Sequence, residues 1–170
     1  MLKSAAISMC GKYRWKLERI WDQSKPILVV CMLNPSTADA DINDPTVLRL
    51  IKFATLWGFG GIWVVNQYAY RSSSPAVLAR LNDEEAEGPA NYIAWNEALT
   101  YAAKNTGWIL VAWGNGGQNR GRFNFWVEHH ELEMRCLGVT QNGSPKHPLA
   151  RGKHRILDNQ MSLSWYAPCE

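Results

Sequence analysis

At 170 residues the chain is long enough for one compact domain with a real core and short for two, so a single domain over residues 1–170 is expected. Hydrophobic residues make up 46% and charged residues 19%, which argues against disorder, and a net charge of +3 is too small by itself to name a polyanionic partner. No apolar run approaches the ~20 residues that span a bilayer, and the stretch from Met1 to Ser8 is too short for a secretory signal; a cytoplasmic protein with no membrane partner is expected.

Residues 4–9 and 13–20 read as two short strands joined at Gly11-Lys12, an edge hairpin. The continuous apolar run Ile27-Leu28-Val29-Val30-Cys31-Met32-Leu33 is bounded by Pro26 and Asn34-Pro35, the pattern of a strand buried on both faces. A loop rich in Ser, Thr and Asp follows. Asp44-Pro45 then makes a helix start, and Val47, Leu48, Ile51 and Ala54 recur at helical spacing until Gly58 supplies the stop. Ile62–Asn66 reads as the second buried strand, 76–81 as a short helix, and Gly88-Pro89 as the opening of a longer helix through about Lys104. Trp108–Trp113 is a third buried strand, 118–131 a helix, and Arg135–Val139 a fourth strand, after which the chain enters a basic loop. The tail from Ile156 onward carries no pattern.

Strands alternating with helices predict a three-layer α/β/α domain around a mostly parallel four-stranded sheet, with the N-terminal hairpin added to it. Ligands of such sheets bind at the carboxyl ends of the strands. Four polar, turn-forming segments follow the strands: Asn34-Pro35-Ser36, Asn66-Gln67-Tyr68, Gly114-Asn115-Gly116 and Lys146-His147-Pro148. They are expected to converge on one rim.

Each candidate residue has a plain structural reading beside the functional one. Asn34 can offer an amide to a ligand or cap the strand end as an Asx turn. The Asn66 side chain donates and accepts at once, which suits the edge of a nucleobase, or it makes a strand-end hydrogen bond. His147 can donate to charge building up on a leaving base, or lie in solvent. Arg71 can hold a phosphate or solvate its loop. Lys146, Arg151 and Lys153 sit in an acid-free basic stretch that suits nucleic-acid backbone contacts, and a solvated loop equally. Trp63, Trp108 and Trp113 lie in apolar runs and read as core. The four cysteines, Cys10, Cys31, Cys136 and Cys169, have no Cys-x-x-Cys spacing, and Cys31 and Cys136 sit in apolar segments. Reduced thiols are expected, with no zinc site and no cofactor. Asp39, Asp41 and Asp44 lack the spacing of a calcium loop and read as capping and solvated acids.

Taken together, the four rim segments resemble the uracil-DNA glycosylase superfamily over roughly residues 27–152. Met32-Leu33-Asn34-Pro35-Ser36 is similar to that family's first motif, Val64–Arg71 to the segment carrying its base-reading asparagine, Leu110-Val111-Ala112-Trp113-Gly114 to its LLLWG segment, and His147–Gly152 to its HPSPL loop. The chain also resembles an uncharacterised bacterial and phage family whose hallmark is Leu33-Asn34-Pro35-Ser36-Thr37-Ala38-Asp39. The glycosylase resemblance implies an N-glycosylase acting on a damaged, mismatched or modified base, with DNA or a nucleotide as partner. Asn34 would place water and His147 would stabilise the departing base. Pro35, Ser36, Asn66, Arg71, Trp113, Gly114 and Leu149 would bind substrate, Leu149 as a wedge in the emptied stack, and Lys146, Arg151 and Lys153 would hold the backbone. The most active branch has an aspartate where this chain has Asn34; an amide positions water without accepting its proton, so a second base such as Asp39 or Asp44 would be needed. Ser36 replaces a bulky tyrosine that excludes 5-methyl groups in the uracil-specific branch, and Leu149 replaces the HPS serine. Two further readings stay open: a non-catalytic base sensor, and an enzyme acting on free nucleosides or nucleotides.

Overall fold

The computed structural model describes residues 1–36, 38–116 and 121–166. The elements in chain order are β1 (Leu2–Ile7), β2 (Arg14–Ile20), β3 (Ile27–Met32), α1 (Pro45–Leu56), β4 (Gly61–Asn66), α2 (Pro75–Leu78), α3 (Asp83–Glu87), α4 (Asn91–Asn105), β5 (Trp108–Val111), α5 (Gly121–His129), β6 (Glu133–Cys136) and β7 (Leu163–Ser164). The strands form one sheet in the order β1-β2-β4-β3-β5-β6-β7. Its centre, β4-β3-β5-β6, is parallel, while β1, β2 and β7 join antiparallel.

The α/β class therefore holds, but the sheet is seven-stranded and mixed: the four central strands are parallel, and three antiparallel strands, the hairpin and one from the tail, extend it. The hairpin is built into it through β2, whose Leu17–Ile20 pair with Val64–Gly61 and close the edge of β4. At the opposite edge the tail adds Leu163 and Ser164 against Cys136 and Arg135. This tail, patternless in sequence, also buries Ile156 and Trp165, whose ring meets that of Trp113 edge-on at 5.3 Å.

Local chemistry explains most element boundaries. The Asp44 carboxylate accepts from Val47 N–H at 2.8 Å and caps α1, and Gly58, at φ +84°, leaves the helix where a side chain would be strained. The acidic stretch 83–87 is a short helix that the sequence reading missed, closed by a reciprocal capping box between Asn82 and Glu85. Helix α4 begins at Asn91, after Ala90 turns left-handed, and not at Gly88-Pro89. Strand β6 starts two residues earlier than expected and gives way at Gly138, φ +111°. Helix α5 falls inside the expected 118–131, whose positions 118–120 lie outside the described residues.

Strand alternation sends successive residues to opposite faces. Val29, Cys31, Val65, Val111 and Trp113 pack with Trp95, Ala98, Leu99, Phe123 and Val127 of α4 and α5. Leu28, Val30, Met32, Val64, Leu110 and Ala112 pack with Val47, Leu50, Phe53 and Ala54 of α1. Helices thus cover both faces, and the carboxyl ends of β3, β4 and β5 open on one rim. After β6 the chain folds back on itself, with Lys146 N–H bonded to Gly138 O and Val139 bridged to Pro145. Gly114 N–H then donates to Pro145 O at 2.9 Å, which brings His147 to the ends of the other strands.

Candidate functional site

Asn66 closes β4 on the α1 side of the sheet, two residues beyond Val64. It is 1% exposed, and among the described residues neither its amide nitrogen nor its amide oxygen has a hydrogen-bond partner. Its backbone is fixed, because its carbonyl accepts from Trp95 Nε1 at 2.7 Å and from Asn91 Nδ2 at 3.1 Å. A buried amide with no partner loses its hydration without recompense, so its position is held by the fold and not by its own bonding. The residue lines a cavity of about 60 Å³ together with Asn34, Ser36, His147, Arg14, Asp44 and Thr46, over apolar Met32, Val47, Leu50 and Val64. Four of the expected residues, Asn34, Ser36, Asn66 and His147, therefore meet in space.

The orientation of two of them is decided by their hydrogen bonds. Asn34 Nδ2 donates to Ser72 O at 2.7 Å and to Pro35 O at 3.2 Å, which leaves Oδ1 as its free end. That oxygen can accept from a water or a ligand N–H but cannot take a proton. His147 Nδ1 lies 3.1 Å from Leu149 N, and a backbone N–H can only donate. Nδ1 is thus the acceptor and Nε2 carries the proton. Burial holds the His147 pKa below its usual value of 6.5, opposed by the Asp44 charge, so the ring is a neutral Nε2–H donor at physiological pH. Gly114, at φ +72°, packs beneath it: a Cβ there would lie 3.4 Å from His147 Cβ.

Two charged residues complete the cavity. Arg14 is 3% exposed; its Nη1 donates to Ala38 O at 2.5 Å and its Nε has no partner among the described residues. Burial lowers its pKa to about 10, Asp44 works the other way and Arg71 and Arg19 add to the lowering, so it remains a cation at neutral pH. Arg19 is equally buried but differs in kind. Its guanidinium donates to Asn43 Oδ1, Asp39 O, Ile42 O and Glu18 O, which makes it a staple for the 39–43 loop with its bonds fully used. The structure also separates the two candidate bases. Asp39 Oδ1 is occupied by the N–H groups of Asp41 and Ile42, whereas Asp44 uses Oδ1 for the helix cap and borders the cavity. Sequence reading missed Arg14 and Thr46. A lone arginine in a hairpin strand beside Trp15 and Lys16 reads as solvent-facing, and no local signal marks it as inward.

A family of proteins of unknown function, DUF1643, matches residues 14–149. The chain belongs to this family. The DUF1643 segment opens on Arg14 and runs two residues past His147, so every residue lining the cavity lies within it. Neither the curated proteins nor the solved structures give a match.

Other expected site residues of the DUF1643 segment lie off the cavity. Trp113 is 2% exposed and belongs to the core on the α4 and α5 side, because it is an odd step from Ala112 and strand alternation turns it away from the α1 face. Pro35 is buried and contributes its carbonyl, which accepts from Ser72 N–H at 2.8 Å. Arg71 donates to Gly11 O at 3.2 Å and tethers the hairpin turn. Leu149, 37% exposed, lies with Arg151 in a separate open groove beside Pro45 and Arg49. Lys146 packs its aliphatic stem over Gly138, and Lys153 reaches Gln141 Oε1 at 3.4 Å; Arg151 and Lys153 fall beyond the matched segment. A larger hollow of about 460 Å³ adjoins the cavity, shares Asn34 with it, and is walled by Leu33, Tyr68, Ser72 and Leu78.

The cavity therefore combines a donor–acceptor amide, a neutral imidazole donor, an amide oxygen, a carboxylate and a buried cation. Among the described residues no group of three or more His, Cys, Asp or Glu is placed to hold a metal ion. Cys31 and Cys136 are buried free thiols, their pKa values raised by burial, and Cys10 is exposed and free. No helix among the described residues is long and apolar enough to cross a membrane.

Proposed function

We propose that this protein reads a nucleobase at the rim cavity and acts on DNA as an N-glycosylase for a damaged, mismatched or modified base. The observation that carries the reading is the Asn66 amide, buried at a strand end with its donor and its acceptor both unused. An amide presents the same adjacent donor and acceptor that a base presents along its hydrogen-bonding edge. In this reading Asn66 pairs with that edge, and His147 Nε2–H donates to the negative charge that develops on the base as the C1′–N bond breaks. Water forms the new C1′–O bond. Asn34 Oδ1 orients that water, and the Asp44 carboxylate accepts the proton it loses, supplying the base that Asn34 cannot be. Arg71, Lys146, Arg151 and Lys153 would meet phosphates, and Leu149 would fill the vacated stack. This arrangement would make the domain a three-layer relative of the uracil-DNA glycosylases.

Size sets a condition on the reading. Ligand pockets usually enclose about 300–1,000 Å³, and the cavity at Asn66 encloses about 60 Å³. It admits the reading edge of a base; a whole ring enters only if the walls formed by Ser36 and His147 separate. That small volume also favours a second reading, a base sensor without turnover.

The test is a panel of labelled oligonucleotides carrying different modified bases. Alkali-labile sites together with released free base support the glycosylase. Salt-dependent binding without release supports the sensor. Loss of neither binding nor release in Asn66→Leu and His147→Ala would overturn both.

A further inference from the structure

The residue after Asn66 faces the other side of the sheet. Gln67 continues the β4 ladder, with its N–H bonded to Met32 O at 2.9 Å and its carbonyl accepting from Asn91 Nδ2 at 3.1 Å. The residue is 3% exposed, and like Asn66 it has no partner among the described residues for its side-chain nitrogen or oxygen. It lines a different cavity, about 520 Å³, on the α4 and α5 side. That volume lies within the range of small-molecule sites. Trp95 and Phe123, crossed edge-on at 5.6 Å, form part of its apolar lining. Among the described residues, Asp83, Glu84 and Glu87 line it against a single cation, Arg122, which pairs with Glu87 at 2.9 Å.

We propose that this second cavity binds an amino-substituted heterocycle of the aminopyrimidine or aminopurine type, with Gln67 paired to its donor–acceptor edge. The described lining residues carry three carboxylates and one guanidinium, a net negative set that accepts hydrogen bonds more readily than it donates them. A ring whose exocyclic group is an amine satisfies the carboxylates. A ring bearing a carbonyl at that place sets an acceptor against acceptors. The partly buried Glu87, whose pKa burial raises, is suited to accept from such an amine. This inference does not rest on the glycosylase reading, since the two amides lie on opposite faces of the sheet.

Cytidine and uridine differ by this amine-for-carbonyl exchange and serve as probes, with binding to the full chain followed by calorimetry and by the Gln67 side-chain amide signals in NMR. Cytidine is expected to bind at least ~10-fold more tightly than uridine, the discrimination one well-made hydrogen bond supplies. Gln67→Met is expected to lose that preference, and Asn66→Leu to keep it. Equal binding of the two nucleosides, absence of cytidine and adenosine binding at millimolar concentration, or loss of the preference in Asn66→Leu instead of Gln67→Met would each overturn the proposal. Should Gln67→Met fail to fold, the unaltered protein decides: Gln67 amide signals that stay fixed on saturation with cytidine refute it.

Discussion

Replacing Asn66 by leucine should stabilise the free protein while removing recognition, and the structure gives the size of the effect. Each buried polar group without a partner costs about 1–3 kcal/mol, and Asn66 has two. Leucine is the bulkier side chain, and fitting it beside the cavity of about 60 Å³ offsets part of that gain, since overpacking a core costs about 1–3 kcal/mol. A net gain of about 1–3 kcal/mol is therefore expected from a leucine packed on Met32, Leu50 and Val64. For a chain of this length each kcal/mol moves Tm by about 2–4 °C, so thermal unfolding should shift upward by about 2–12 °C. Asn91→Leu is the matched control. Its Nδ2 donates at 3.1 Å to both Asn66 O and Gln67 O, so leucine there should lower Tm. If Asn66→Leu lowers Tm as Asn91→Leu does, the Asn66 amide makes a structural bond in solution and does not wait for a ligand.

Asp44→Asn should separate capping from chemistry: asparagine caps as well as aspartate, so Tm should stay within a few °C, while base release should fall by ~10²-fold or more because the amide accepts no proton. Comparable release by the two proteins would remove Asp44 from the mechanism. The pH dependence follows from His147. Its folded pKa is depressed by burial, so as pH falls through 6.5 the unfolded state takes up its proton first and stability declines, whereas above 6.5 the term is flat. His147→Gln should flatten that segment of the stability–pH curve; an unchanged slope would mean that the imidazole is solvated. Trp165→Ala should cost about 3–5 kcal/mol as a buried aromatic deletion, measured by urea unfolding, and a change below 1 kcal/mol would show that the tail does not belong to the core.

The strands β3, β4 and β5, the Asp44-Pro45 start of α1 and the placing of Asn34 and Asn66 at strand ends were legible in the sequence. Apolar runs, caps and turns are short-range effects carried by adjacent residues. Parity, burial and convergence are not. Trp113 belongs to the wrong face for the site because of its parity beyond the end of β5, and Arg14 reaches the cavity because a hairpin strand pairs with β4. His147 arrives through the fold-back at Gly138–Lys146 and the Gly114 to Pro145 bond, and Trp165 enters the core from a tail with no periodicity. Composition and spacing thus determined an α/β sheet with polar strand ends. Only the tertiary structure decided that Asn66 and Gln67, neighbours in the chain, each lie buried and unpaired in separate cavities, because desolvation depends on every atom that the fold packs around a group and not on its neighbours in sequence.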